Sequence, residues 1–389
     1  MRLDAGRATS WSSGLLAGVA LMAACMGGDG KPPSGDGVTQ SGAPARVISV
    51  VGGRDITAYR KQPLTESGQL RQAVMATIRL GTVDSTQPVD VQDVAFRGDT
   101  AYVLDAETRR LSAYNRAGTR LWSAGGRDAN DGRLVRPHRL TLAGDTLYVT
   151  DLGAVNRINL FDLGGRFARG FDVDSEKDVL SLAVAGERLF VTIPSPEPDD
   201  TTLSVVLMMD RDGKLLGRGC TQHPTVTTSI SRRGVLGAYR FSYVWSSGGR
   251  VYCQQGVTPV IQVLDGAGRL AGTVDRAPEF FVDPRDEPET TNPRRMMAHS
   301  ATWLAPTRFL PSAHGFVWSF IAYDTVTQRS SFRLFACDSA TGPAQCAVGE
   351  TPDRPLQLIG ADTLLLLRED PNPESVPTLI LVRLTGTIR

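Results

Sequence analysis

The sequence predicts an all-β fold: a six-bladed β-propeller with four-stranded antiparallel blades, the ring closed by an N-terminal strand. Three observations predict it. A strand–turn–strand pattern recurs six times after residue 90, further strand-like runs follow several copies, and strong helical periodicity is absent throughout.

The clearest copies are VAFRGDTAYVLD (94–105), LTLAGDTLYVTD (140–151) and LAVAGERLFVTI (182–193). Looser ones are YVWSSGGRVYCQ (243–254), FLPSAHGFVWSF (309–320) and LQLIGADTLLLL (356–367). Their turn glycines, Gly98, Gly144, Gly186, Gly248, Gly315 and Gly360, are spaced by 46, 42, 62, 67 and 45 residues. Glycine suits the positive φ that a tight hairpin demands. The second copy continues with RINLFDL (157–163) and RFARGFDV (166–173), so a unit holds four short strands, as a propeller blade does. The last unit ends in TLILVRLTGTIR, enough for a third strand only. Upstream, AVMATIRLG (73–81) is a strand without a blade, and it is expected to supply the missing outer strand, fastening the two chain ends.

Blade two carries a family resemblance over about 40 residues. Gly125-Gly126-Arg127-Asp128, Gly132-Arg133-Leu134, Pro137, Leu140-Thr141-Leu142, Gly144, Leu147-Tyr148-Val149-Thr150-Asp151, Asn156-Arg157-Ile158 and Phe161-Asp162 fall in the order of an NHL repeat, which this stretch resembles. Blade one matches in part, and blades three to six keep only the strand–turn skeleton. The resemblance implies six blades and no single activity, since propellers of this type bind proteins or RNA, sense extracytoplasmic signals or catalyse. Asp151, Asp162 and Asn156-Arg157 are assigned to turn and strand-end hydrogen bonds.

The first 45 residues read as address and tether. Arg2 and Arg7 precede an uncharged apolar run, Gly14 to Ala24, that is short enough for the core of a secretory signal. The run ends Leu21-Met22-Ala23-Ala24-Cys25, which resembles a bacterial lipobox, with Met22 where Leu would fit better. That resemblance implies cleavage before Cys25 and acylation of this residue; an ordinary secretory signal is the alternative. Residues 26–45 are rich in Gly, Ser and Pro and read as a flexible spacer. The organisation expected is a signal peptide over 1–24, a tether over 25–45 and the propeller over 46–389.

Four cysteines remain beyond Cys25: Cys220, Cys253, Cys337 and Cys346. An even number in an exported chain favours two disulfides, and of three possible pairings Cys337–Cys346 with Cys220–Cys253 is the most local. Buried free thiols are the alternative, and the lack of CxxC spacing argues against a zinc site built from cysteines.

Composition excludes several functions. Lys+Arg 42 nearly balances Asp+Glu 41, which leaves no basic footprint for nucleic acid. Neither GxSxG, HExxH nor a P-loop occurs. The loops entering the inner strands ring one mouth of the channel, and His138, Arg139 and His299 are the candidate ligand-binding residues there. His223 lies in another such loop, and His314 beside a turn. Three converging histidines could hold zinc, and the acidic insertions at 194–202 and 283–295 could hold calcium, although solvated loops suit those insertions better. No cofactor is predicted. The function expected is a lipid-anchored binding or scaffold module in the cell envelope, touching the membrane only through its anchor. Its partner would be an envelope protein, a glycan or a small ligand. The alternative is a metal-assisted channel-mouth enzyme of lactonase, lyase or dehydrogenase type.

Overall fold

The computed structural model describes residues 65–81, 88–126, 129, 131–175, 178–193, 204–221, 242–255, 260–275, 305–312, 315–324, 329–338, 345–369 and 375–386. Strands and no helices are found among them. Two N-terminal strands, β1 (Thr65–Gln69) and β2 (Arg71–Arg79), precede the first blade. Blade one is β3 (Val91–Arg97), β4 (Thr100–Asp105), β5 (Arg110–Asn115) and β6 (Arg120–Gly125). Blade two is β7 (Pro137–Ala143), β8 (Thr146–Leu152), β9 (Asn156–Asp162) and β10 (Phe167–Asp172). Blade three is β11 (Ser181–Ala185), β12 (Arg188–Thr192), β13 (Ser204–Asp210) and β14 (Leu215–Thr221). Blade four is β15 (Ser242–Ser247), β16 (Arg250–Gln255), β17 (Val260–Leu264) and β18 (Leu270–Asp275). Blade five holds β19 (Ala305–Pro311), β20 (Phe316–Asp324), β21 (Arg329–Cys337) and β22 (Gln345–Thr351). Blade six holds β23 (Arg354–Ile359), β24 (Thr363–Arg368) and β25 (Thr378–Thr385).

Within each blade, successive strands pair antiparallel. The first strands β3, β7, β11, β15, β19 and β23 touch in that cyclic order, and β23 returns to β3. The ring is therefore a closed six-bladed propeller. Its core is divided among the blade interfaces. Phe161, Leu147 and Leu140 of blade two pack on Leu104 and Leu111 of blade one, and Leu365 and Leu379 of blade six pack on Val94 and Tyr114 of blade one. Sheets buried on both faces need apolar residues on both faces, and the Leu364–Leu367 run meets that need. Each such side chain contributes roughly 1.5–3 kcal/mol on burial.

Closure follows the expectation and adds to it. β2 pairs antiparallel with β25 as the outer strand of blade six. One residue earlier, β1 pairs parallel with β22, so blade five gains a fifth strand. The N-terminal segment thus stitches two blades, with Leu70 N donating to Val348 O at 2.8 Å between them. The sequence TESGQ carries no apolar alternation, and the strand is defined by its backbone pairing with β22.

Two turn types recur. At the first hairpin of blade one, Gly98 has φ +60° and no neighbour within 4 Å of a Cβ placed there, so the turn demands glycine for its backbone and not for space. At the third hairpin, Asn115, Asp162, Asp210 and Asp265 accept from the amides two and four residues ahead, with glycine in left-handed geometry at the third place. These glycines press on the preceding blade: a Cβ at Gly165 would lie 2.5 Å from Trp122.

The Cys337–Cys346 disulfide spans directly paired positions of β21 and β22. The second expected bridge is not formed. Cys220 and Cys253 are buried free thiols in the interface of blades three and four, one hydrogen-bonded to the other. They lie on different sheets and meet across the blade interface, where burial and the neighbouring thiol push the Cys220 pKa up and keep it protonated.

Candidate functional site

Because strands alternate in direction, the starts of all inner strands lie on one face of the ring, called here the entry face. Near this end, four of the six inner strands carry a register irregularity against their neighbours: between Val91 and Asp93, Pro137 and Arg139, Pro306 and Arg308, and Pro355 and Gln357. A bulge adds a residue to one strand and re-aims the side chain that follows. With Ser181 and Tyr243 of the two regular strands, these residues form a layer at the channel mouth: Asp93, Arg139, Ser181, Tyr243, Arg308 and Gln357.

Four of the six bond to the backbone of the next blade's inner strand. Asp93 Oδ2 accepts from Leu140 N at 3.2 Å, and Ser181 Oγ exchanges with Val244 N and O at 3.3 Å. Arg308 Nη1 donates to Leu356 O at 3.0 Å, and Gln357 Oε1 accepts from Phe96 N at 2.8 Å. Other contacts cross the axis between blades that are not neighbours. Arg308 Nη2 of blade five donates to Asp93 Oδ1 of blade one at 3.0 Å. The Arg139 guanidinium of blade two sits 5.1 Å from the centre of the Tyr243 ring in blade four.

Asp93 decides the electrostatics. Its burial pushes the carboxyl pKa up, but Arg308, then Arg139, then the Leu140 amide outweigh that and hold it below the usual value. The scale supports this balance. At separations of 3.0 and 3.9 Å, each guanidinium attracts the carboxylate by about 4–6 kcal/mol at an effective dielectric near 20, together exceeding a several-kcal/mol desolvation cost. Arg308 is lowered to about 10 by its burial and stays charged at neutral pH. On the blade-six side, Arg354 Nη2 donates to Val91 O at 2.6 Å and to Glu369 at 3.0 Å. Burial raises the pKa of both Glu369 and Asp90 there.

Of the sequence-predicted site residues, Arg139 lies in this layer. His138 is the residue just before it in the bulged strand; burial and then Arg139 push its imidazole down to about 3, so it is neutral at physiological pH. His299, His223, His314, Cys25 and the acidic insertions 194–202 and 283–295 lie outside the described residues. Among the described residues, no three His, Cys, Asp or Glu side chains come together to hold a metal. Asp151 accepts from Val135 N and Arg136 N, capping the loop that leads into β7. Asn156 donates to Ser175 O, and Arg157 bonds Asn159 and Asp172, so these repeat positions are structural.

The sequence reading missed Asp93, Tyr243 and Arg308. A signal for part of the layer exists: Asp93, Arg139, Ser181 and Tyr243 each stand five residues before a turn glycine. Arg308 escapes this rule because the first hairpin of blade five is longer.

No protein-family model and no curated protein matches the sequence. Among solved structures, the chain is similar to a Bacteroides vulgatus member of the DUF4221 family, at TM-score 0.60 and 8% identity over 83% of this chain and 99% of that one. It is also similar to a Bacteroides fragilis protein classed as exported, at TM-score 0.58 and 10% identity over 84% and 99% of the two chains. At such identities the likeness concerns the propeller fold.

Proposed function

We propose that this chain is an extracytoplasmic binding module, held to a membrane through Cys25 and a flexible tether, that recognises its partner on the entry face. The observation that carries the reading is the mouth layer: side chains from all six blades form a fixed polar floor, preorganised before any ligand arrives. Exposed Val89, Val135 and Val155 stand on the same face, beside the loops that lead into or return from the ring. The signal-like N-terminus and an exported structural neighbour support the location.

Two comparisons test it. The Cys25→Ala chain should leave the membrane fraction and retain the melting point of the wild-type domain. A photo-cross-linking residue placed at Val89, Val135 or Val155 should trap an envelope component in cells, whereas one at Leu121, Leu215 or Leu270, at the opposite ends of outer strands, should not. Cross-links confined to the Leu positions, or unchanged membrane retention of Cys25→Ala, would refute it.

A further inference from the structure

Within the mouth layer, Arg139 differs from its neighbours. Arg308 spends its donors on Asp93 and Leu356, whereas the Arg139 guanidinium makes no hydrogen bond among the described residues. Its nearest carboxylate oxygen is Asp93 Oδ2, 3.9 Å away and already accepting from Leu140 N. Its Cζ lies over the Tyr243 ring, 5.1 Å from the ring centre, and its side chain retains 18% exposure. A guanidinium carries five N–H donors in one plane, and leaving them unpaired in a half-closed site is costly.

We propose that Arg139, backed by Tyr243, receives the carboxylate of a small monoanionic ligand at the channel mouth. Tyr243 offers the guanidinium a ring rather than an oxygen acceptor, so the N–H fork is left for the two oxygens of a carboxylate. Charge selects the class. Asp93, Arg139 and Arg308 sum formally to +1, which one carboxylate neutralises. On the blade-six side of the same mouth, Asp90 and Glu369, offset only in part by Arg354, leave a formal −1 that disfavours a dianion such as phosphate. The proposal rests on the reading of the entry face as the binding face.

The test titrates the purified protein with benzoate, its neutral isostere benzamide, and inorganic phosphate at constant ionic strength, by calorimetry and thermal shift. Benzoate should bind saturably with a roughly millimolar Kd. Benzamide should give no saturable signal, and phosphate should bind more weakly than benzoate. Arg139→Gln and Tyr243→Leu should each weaken benzoate at least tenfold, with cooperative urea unfolding as the control for folding. Arg139→Lys, which keeps the charge and loses the fork, should weaken it several-fold and serves if the Gln variant does not fold. No saturable benzoate binding, equal binding in Arg139→Gln, or tighter phosphate binding would each overturn the proposal. Entry-face cross-links that persist without benzoate binding would sink the carboxylate site alone. Benzoate binding without entry-face cross-links would sink the partner reading instead.

Discussion

Acidification probes the packing of the channel mouth through His138. Burial, then the Arg139 charge, hold the imidazole at about 3, well below its ordinary 6.5, so the folded protein favours the neutral ring. The sign follows from linkage: the unfolded chain takes up the proton first, so this contribution is complete above pH 6.5 and is lost as pH falls toward 3. At pH 5 the unfolded histidine is almost fully protonated while the folded one is not, which removes about 2 kcal/mol relative to pH 8. The ring keeps some solvent access, so about 2 kcal/mol is the upper value. Urea unfolding at pH 8 and pH 5 should show a loss in the wild type that exceeds the loss in His138→Gln by roughly that amount. Equal losses in both proteins would mean that the imidazole titrates normally and that the mouth is wetter than described.

Other outcomes follow from the same structure. Gly165→Val places a branched side chain against Trp122 at a left-handed position and should cost at least about 2 kcal/mol, whereas Gly144→Ala, with open space around it, should cost about 1 kcal/mol from backbone strain alone; chemical denaturation separates the two. Deleting residues 70–82 removes β2 and unfastens blade six, so the whole domain should lose stability; normal expression with an unchanged melting point would contradict the closure. Peptide mapping under non-reducing conditions should find Cys337 joined to Cys346, with Cys220 and Cys253 alkylated only after unfolding. Replacing the bridge by Cys337→Ser/Cys346→Ser should cost about 2.5 kcal/mol, the loop-closure value for so short a loop.

What the sequence carried was local. Strand–glycine–strand copies gave the blade count because a hairpin is written in a dozen adjacent residues, and the 73–81 run marked the closing strand because it had no blade of its own while the last unit lacked its fourth strand. β1 left no such mark: Gly68 and Gln69 are exposed, and the strand is defined by backbone pairing with β22. The mouth layer was half legible. His138 and Arg139 were placed at the mouth by their position before an inner strand, but Asp93 and Arg308 stand 215 residues apart in the chain. Only ring closure brings them together, and no local pattern encodes that meeting. The cysteines show the same divide: a bridge within one hairpin was readable, while the state of Cys220 and Cys253, which meet only across two blades, was not.

The central claim is that side chains from non-neighbouring blades lock one layer across the channel axis. A double-mutant cycle on Asp93→Asn and Arg308→Met, read by urea unfolding, measures that lock directly. A coupling energy of about 1–3 kcal/mol is expected for a buried, hydrogen-bonded pair. Additive single-variant effects would contradict the cross-channel contact and, with it, the fixed floor on which the binding face is built.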